Sequence, residues 1–349
     1  MEERKRKSER TSLTVDDVAR KAGVSRTAVS YVLNEKEGQR NKHVSAETRA
    51  KVVQAIQELD FRPHALARAL SKGHSEEIVL VMGTPFTPFA MEMLSSLQQQ
   101  ALVYGYTPVM YLSQGFSDEE KRNLHQTVFA RHPIGIITSP FDFKDEEVAL
   151  AQQKGIKHII FIGFHAETIE GTYSIVFPSK ALGYLAARHL LERGHRHLAL
   201  VQPDDAVQEE GFSQRLEGMH AAIAEEPGVT LDILPLHLAA SSAYELVETS
   251  LVGANRPTGI YAFSDEYAVV LLGALTRLGI QVPQEIALVG TDNLPLGEFV
   301  WPSLTSMSFD ALDIGKRAAD MLHLLHQGQP LPEALTAPLI PQLIPRQST

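Results

Sequence analysis

The chain contains no cysteine, which excludes a disulfide framework, a cysteine-based metal site and a thiol nucleophile. It also lacks any apolar run close to the roughly 18 residues that cross a bilayer. The first ten residues, MEERKRKSER, hold no apolar stretch of the kind that marks a secretory signal. We therefore expect a cytoplasmic protein with no contact with membranes.

The common motifs of enzyme active sites are missing as well. The sequence has no G-x-G-x-x-G, no Walker phosphate loop, no G-x-S-x-G and no H-E-x-x-H. His195 and His197, in the run GHRH, are interpreted as a loop before a strand rather than as metal ligands. We expect no catalysis, no metal ion and no cofactor.

Charge is divided unevenly along a chain long enough for more than one domain. The net charge of the 349 residues is −10, yet residues 1–72 hold 16 Lys and Arg against 10 Asp and Glu. The rest of the chain holds 16 basic against 32 acidic residues. A basic head on an acidic body predicts that the head binds a polyanion such as nucleic acid, although a basic solvated tail would have the same charges.

Local signals between residues 14 and 34 predict two helices joined by a short turn. Thr14 and Ser25 are suited to cap the two helix starts, and Gly23 is suited to the left-handed conformation that ends a helix. Two helices that cross so closely need a small residue on the first and an aliphatic one on the second, which Ala19 and Val29 provide. This spacing is typical of a helix-turn-helix.

A third helix should follow and close a small core. Ser45 is suited to cap it, and Val52, Ala55, Ile56 and Leu59 fall on one face at helical spacing. A generic three-helix bundle is the alternative interpretation of the head.

The body, from residue 78 onward, alternates short β-rich runs with helical stretches. This alternation predicts an α/β body of parallel sheets flanked by helices. The predicted strands are 78–82, 107–112, 135–138, 158–162, 197–202, 231–236, 259–263 and 287–290, and the predicted helices are 88–104, 118–131, 145–154, 179–193, 211–225, 242–252 and 265–278.

Two head segments, TVDDVARKAGVSRTAVSYVLN and VSAETRAKVVQAIQELDFRPHALARALSKG, strongly resemble the head of the LacI/GalR family of bacterial transcription regulators. Weaker matches continue through the body in GYLAARHLLERGHRHLALV, RLEG, VGTD and PSLT, so the resemblance covers nearly the whole chain. It implies a helix-turn-helix DNA-binding domain at 1–61, a hinge helix and linker at 62–74, and a body at 75–349. The body is expected to bind an effector, to dimerise, and to have two lobes like the periplasmic binding proteins.

The resemblance also implies that the second helix reads DNA in the major groove. Arg26, Thr27 and Tyr31 match the base-reading positions of the family, and Arg26 could donate to guanine. The family usually has Arg or another polar donor where this chain has Tyr31, so the operator sequence stays open there. The residues suited to phosphate contacts are Ser25, Ser30, Asn34, Ser45 and Thr48.

The linker is expected to fold into a hinge helix on operator DNA. Leu70 occupies the position of the leucine wedge that opens the central minor-groove step, with Ala67 and Arg68 beside it. An ordinary linker helix is the alternative, but it would leave Leu66 and Leu70 exposed. One departure from the family is His64, where Asn is usual.

Between the lobes, the resemblance implies an effector cleft at the carboxyl ends of the strands. Arg215 and Asp292 match the Arg and Asp with which the family binds its ligands, and we expect them to lie on opposite lobes. Phe89 matches an aromatic that lines the pocket, and Ser264 and Asp265 stand where the family often has Asn-Asp.

The same cleft is expected to be less polar than that of a typical hexose binder. Gly163 stands where the family frequently has Asp, and Pro178 and Ser179 stand where it has Asp-Asn. Phe141 and Phe164 are expected near the cleft. A sugar-like ligand, a less hydroxylated one and a nucleoside-like one all stay open.

From the sequence alone we predict a homodimeric repressor that binds double-stranded, pseudo-palindromic operator DNA. A small molecule in the cleft would modulate it. One alternative is a regulator whose pocket has decayed and which has no small-molecule effector. Another is a soluble solute-binding protein, which would leave the head unexplained.

Overall fold

The computed structural model describes residues 13–33, 44–61, 75–83, 87–166 and 169–349. Two compact units divide the chain, and the boundary between them follows Ser75. Within the described ranges, no helix is long and apolar enough to cross a membrane. The predicted hinge at 62–74 lies outside these ranges, so its helix stays a prediction.

The head consists of three helices whose ends are fixed by local hydrogen bonds: α1 (Val15–Ala22), α2 (Arg26–Leu33) and α3 (Ala46–Leu59). Gly23 ends α1 with a φ of 66°, a conformation that costs glycine little. The Ser25 hydroxyl accepts a hydrogen bond from the Ala28 N–H (3.1 Å), and the Ser45 hydroxyl accepts one from the Thr48 N–H (3.1 Å). The predicted turn and both of these caps are confirmed.

The head core is formed by one side of each helix. Val18 and Ala19 of α1, Val29 of α2, and Val52 and Ala55 of α3 are buried against one another, as predicted from their spacing. One further residue of this core, at the end of the head, was not predicted from the helical spacing. That residue is Phe61, which is only 5% exposed and joins the same cluster.

The body contains two sheets, each flanked by helices. The first lobe is built on the parallel sheet β2-β1-β3-β4-β5. Its buried strands are continuous apolar runs, because helices cover both faces. Its elements are β1 (Glu77–Met82), α4 (Pro88–Val103), β2 (Thr107–Leu112), α5 (Asp118–Ala130), β3 (Gly135–Thr138), α6 (Asp145–Gln153), β4 (Ile159–Gly163) and β5 (Thr172–Val176).

The second lobe is built on the sheet β11-β10-β9-β8-β6-β7, in which only the β10–β11 pair is antiparallel. A 3-10 turn, Ala206–Gln208, precedes α8. The elements are α7 (Ser179–Glu192), β6 (His197–Pro203), α8 (Glu209–Ile223), β7 (Thr230–Leu236), α9 (Ala240–Ser250), β8 (Gly259–Tyr261), α10 (Asp265–Arg277), β9 (Ala287–Thr291), α11 (Leu296–Phe299), β10 (Thr305–Ser308), α12 (Ala311–His326), α13 (Glu333–Thr336) and β11 (Gln342–Ile344).

Two close helix contacts fix the elements that flank the cleft. The helices α7 and α8 meet where Gly183 faces the Arg215 backbone, and a Cβ at 183 would overlap the Arg215 carbonyl oxygen. The helix α12 returns to the first lobe, because Gly315 packs on the Met93 carbonyl of α4 and Leu322 packs on Gly135 of β3. The first contact sets the position of the helix that carries Arg215.

The predicted α/β fold, with its strand and helix alternation, is confirmed. Six elements of the structure are absent from the predicted strands and helices: β5, β10, β11, α11, α12 and α13. Of these, β10 reads TSMS in the sequence, so no apolar pattern marks it, yet Thr305 and Ser306 are fully buried.

Candidate functional site

One side of α2 is exposed along its whole length. Val29 is fully buried, whereas Arg26, Thr27, Ser30 and Tyr31 lie on the exposed side. The Arg26 side chain is 71% exposed, and its Nη1 lies 3.3 Å from Oδ2 of Asp16. An exposed ion pair of this kind contributes little to stability, so the guanidinium can exchange Asp16 for another acceptor at small cost.

The residues predicted to contact phosphates fall into two groups. Ser25 and Ser45 are helix caps, and the Ser45 hydroxyl also donates to Oγ1 of Thr48 (2.9 Å). Ser25, Ser30 and Ser45 are exposed and Thr48 is half-buried. The remaining predicted DNA contacts lie outside the described residues: Asn34, Ala67, Arg68 and Leu70.

In the body, a cavity of about 120 Å³ lies between the two lobes. Of the residues expected at the cleft, five line this cavity: Phe89, Phe164, Arg215, Ser264 and Asp292. Most of its lining is apolar, and three further phenylalanines that the sequence interpretation did not identify contribute: Phe177, Phe263 and Phe309.

The phenylalanine rings form a continuous cluster across the cleft. Phe177 lies at the centre, with ring centroids 6.1 Å from Phe89, 5.3 Å from Phe164 and 5.4 Å from Phe309. Phe89 and Phe309 are 4.8 Å apart. Edge-on and tilted contacts of this kind are favourable beyond the area they bury. The cluster explains why the cleft is smaller than the several hundred Å³ typical of ligand pockets.

Arg215 is buried at the floor of the cleft, with 3% of its surface exposed. Its Nη1 donates to the Phe263 carbonyl and lies 3.5 Å from Oγ1 of Thr291. Its guanidinium carbon lies 4.1 Å from the centroid of the Phe263 ring, a distance at which cation–π attraction acts. The Arg215 Nε has no hydrogen-bond partner among the described residues.

Asp292 follows β9 and has a φ of 97°, in the left-handed region that non-glycine residues rarely adopt. Its N–H donates to the Met307 carbonyl (2.8 Å). The next turn is held by Asp265, which accepts hydrogen bonds from the Leu294 N–H (2.7 Å) and the Ser306 hydroxyl (2.7 Å). Asp265 is fully buried, so it supports the Asp292 segment and does not line the cleft.

The expectation that Arg215 and Asp292 lie on opposite lobes is wrong. Arg215 is on α8, between β6 and β7, and Asp292 follows β9, so both belong to the second lobe. The first lobe supplies aromatic rings, together with the hydroxyls of Thr87, Thr138 and Ser139. The cleft therefore has one charged wall and one mainly apolar wall.

Asp292 is expected to make stability depend on pH. Burial raises its pKa to about 7 from the ordinary value of 3.8, against the opposing charge of Arg215. Above pH 7 the carboxyl is ionised in the folded and unfolded states, and the folded state carries the full cost of the buried charge. As the pH falls through 7 the folded state takes up a proton first, so this cost decreases.

We therefore expect the free energy of unfolding of the wild type, relative to Asp292→Asn, to rise by roughly 1 kcal/mol between about pH 8 and pH 6.5. The comparison cancels the titratable groups that both proteins share and that do not interact with Asp292. Thermal melts across this range provide the measurement, and parallel profiles for the two proteins would contradict the assignment.

A set of contacts holds the two lobes together at Phe164. The ring packs directly on Gly211 at the start of α8, where a Cβ would overlap it. The Phe164 carbonyl accepts a hydrogen bond from Nε2 of Gln214 (2.8 Å), and Nδ1 of His165 lies 2.6 Å from Oε1 of Glu210. The same helix carries Arg215, so a single element makes these contacts with the first lobe and positions Arg215 in the cleft.

Phe141 lies at a different place from the one expected. It is not among the residues that line the cleft but borders a second cavity in the first lobe. The Asp142 N–H donates to the Ser139 carbonyl (3.1 Å), and this turn directs the chain away from the cleft. Gln208, which the sequence interpretation did not identify, does line the cleft, and its Oε1 is buried without a partner among the described residues.

Comparisons with known proteins give one family-model match within each unit of the structure. Residues 14–64 match the family model of bacterial regulatory proteins, lacI family, and residues 187–349 match the periplasmic binding protein-like domain. The HTH-type transcriptional repressor PurR of Proteus mirabilis (strain HI4320) is 28% identical over 344 residues, which cover 96% of both proteins. PurR of Aliivibrio salmonicida (strain LFI1238) is 29% identical over 314 residues, 88% of this chain and 91% of that protein.

Solved structures show the same fold along almost the whole chain. The lac repressor dimer bound to operator and the anti-inducer ONPF has a TM-score of 0.76 and 24% identity, over 96% of this chain and 98% of that chain. The transcriptional regulator CelR in complex with cellobiose has a TM-score of 0.63 and 23% identity, over 97% of this chain and 100% of that chain. Head and body match in the same order and in the same protein class, so the chain belongs to the lacI family of bacterial regulatory proteins.

Proposed function

We propose that the chain is a homodimeric repressor whose α2 helix reads a pseudo-palindromic operator in the major groove. The observation that carries this proposal is the α1–Gly23–α2 unit, which buries Val29 and leaves Arg26 and Thr27 exposed at the start of α2. The N-terminal residues of the second helix are the ones that meet base edges in this motif. The protein would act in the cytoplasm, as a regulator and not as an enzyme.

Relatives support the same function. The curated relatives are named as transcriptional repressors, and the lac repressor was solved as a dimer on its operator. A solute-binding protein without DNA function would explain the body but leave the capped helix-turn-helix and its basic charge without a role. Leu70, which lies outside the described residues, stays the proposed minor-groove wedge, with Ala67 and Arg68 beside it.

Exposed apolar side chains support a dimer. Phe299 and Trp301 are 84% and 78% exposed although only one residue separates them. Large apolar groups exposed together are typical of surfaces that bind another protein. A two-fold dimer presents its two heads symmetrically, so its operator should have dyad symmetry.

We also propose that the cleft is a working effector site and not a decayed one. Two buried polar atoms at the cleft, the Arg215 Nε and the Gln208 Oε1, lack partners among the described residues. Buried polar groups without a partner are costly, and a ligand that accepts from Arg215 and donates to Gln208 would satisfy both.

The shape of the cleft indicates the class of effector. Five phenylalanines and a volume of about 120 Å³ suit a small, flat and mostly apolar molecule with one polar edge. A hexose would bury hydroxyls against rings that cannot bond to them, at a cost in free energy for each unpaired group. Nucleobase-like and other aromatic compounds therefore fit the cleft better than free sugars.

The experiment that tests the DNA-binding function is selection of bound sites from random duplex DNA by the full chain. Enriched sites are expected to be inverted repeats, with both halves read by the same α2 residues. Sites without dyad symmetry would contradict the proposal.

A further inference from the structure

A second cavity, of about 680 Å³, lies within the first lobe and is the cavity that Phe141 borders. One of its walls is a stripe of α5, in which Asp118, Lys121, Arg122 and His125 fall at helical spacing on a single face. The first turn of α6 forms another wall. The volume is within the range of small-molecule sites.

His125 lines this cavity and is only 3% exposed. Neither Nδ1 nor Nε2 makes a hydrogen bond of normal geometry with a described residue, although the Asp142 backbone lies close enough to interact with the ring. Burial lowers the pKa of His125, so near neutral pH the ring offers one donor and one acceptor. Because buried polar atoms are nearly always hydrogen-bonded, a water molecule or a ligand in the cavity could supply the missing partner.

The charges of the two walls have opposite signs. The α5 wall carries Lys121 and Arg122 against Asp118, and Arg122 forms no ion pair with a residue that the structure describes. The α6 wall carries more acids than bases: Lys144, Asp145, Glu146 and Glu147. A simple anion would be repelled by the α6 wall and a simple cation by the α5 wall. A ligand with one group of each sign matches both.

We propose that this cavity is a second small-molecule site, and that it takes a zwitterion of the amino-acid class. The ligand carboxylate would lie toward Arg122 and Lys121, and its ammonium group would lie toward the acids of α6. The His125 ring would bond to the ligand at the floor of the site.

The second cavity shares a wall with the inter-lobe cleft. The buried Asp142 carboxylate accepts hydrogen bonds from the Gly83 N–H (2.6 Å) and from the Ser139 hydroxyl (2.8 Å), and Ser139 lines the cleft. On the other side, Nζ of Lys121 lies 3.6 Å from Oδ1 of Asp142. A ligand that draws Lys121 away from Asp142 would therefore change the surroundings of the cleft.

The test is calorimetric titration of the full-length protein with each of the common amino acids near pH 7.5. At least one is expected to bind. Arg122→Ala, which removes an exposed side chain, should weaken that binding by about tenfold or more, the usual effect of losing a charge-assisted hydrogen bond. His125→Phe should weaken it too. This variant keeps an aromatic ring at 125 for Phe143 to pack against, since the two ring centroids lie 4.5 Å apart in the wild type.

Lys157→Ala serves as the matched control, because it removes an exposed lysine of the same lobe that does not line the cavity. Arg215→Ala should also leave amino-acid binding unchanged, which separates this site from the cleft. The proposal is overturned if no amino acid binds, if binding survives Arg122→Ala undiminished, or if Arg215→Ala abolishes it. Operator binding is measured in a separate experiment, so a failure of the amino-acid site does not count against the DNA-binding proposal.

Discussion

Replacing Arg215 by Ala is expected to abolish the response of operator binding to effector, while the ligand-free protein binds its operator as before. The guanidinium is buried at the floor of the cleft, and its Nε has no partner among the described residues. A ligand that bonds to it would leave its own polar group unpaired in the variant, a loss of several kcal/mol in a buried site. The result would be a regulator that cannot be switched.

The measurement needs an effector, which thermal-shift screening of the wild type against nucleobases, nucleosides, aromatic acids, sugars and glycosides should supply. Operator affinity is then compared with and without the hit, in the wild type and in Arg215→Ala. Arg188→Ala is the matched control, because that arginine forms ion pairs outside the cleft, with Glu192, Glu225 and Glu226. A hit whose stabilisation survives Arg215→Ala would show that it binds elsewhere. No hit, with operator binding indifferent to cell extract, would favour a decayed pocket.

Arg26→Ala is expected to relax base preference at one symmetric pair of operator positions. A bidentate contact to guanine contributes roughly 1–3 kcal/mol of discrimination, and the dimer loses two such contacts. The fold of the head should be unaffected, since the Arg26–Asp16 pair is exposed.

The matched control is Arg20→Ala, which removes a 79% exposed arginine of α1 that pairs with Asp17. It should leave base preference unchanged. Titrations against the preferred site and against single-base variants distinguish the cases. If Arg26→Ala lowers affinity evenly across all sequences, Arg26 contacts phosphate, and the assigned orientation of α2 in the groove is wrong.

The head could be predicted closely because its signals are local. Gly23, Ser25 and Ser45 act within one turn of their own position, through backbone conformation and short-range hydrogen bonds. Phe61 was not predicted as a core residue, because nothing in its neighbourhood reveals that it packs into the cluster formed by the three helices. Packing between distant segments is not encoded in local periodicity.

The elements missed in the body have different causes. The strand β10 is polar in sequence, and it stays buried because Ser306 bonds to Asp265 and the Thr305 N–H donates to Ser348. By contrast, α12 carries apolar residues at helical spacing, including Ile314, Ala318 and Leu322, so its sequence was sufficient to predict it.

The cleft was predicted only in part, because the strand order of the two sheets decides which residues line it. Arg215 and Asp292 were placed on opposite lobes, but the strand order brings both to the second sheet. Phe177 and Phe309 reach the cleft from segments that carry no motif, and the turn after Ser139 turns Phe141 away. Such placements depend on how the two sheets face each other, which periodicity does not report.

Selection of binding sites from random duplex DNA tests the central claim most directly. The full-length protein is expected to enrich inverted repeats with two equal half-sites, because a two-fold dimer presents its two α2 helices symmetrically. The same protein carrying Arg26→Ala should enrich repeats that have lost one specified base pair in each half. Enrichment of sites without dyad symmetry, or of no sites at all, would contradict the account.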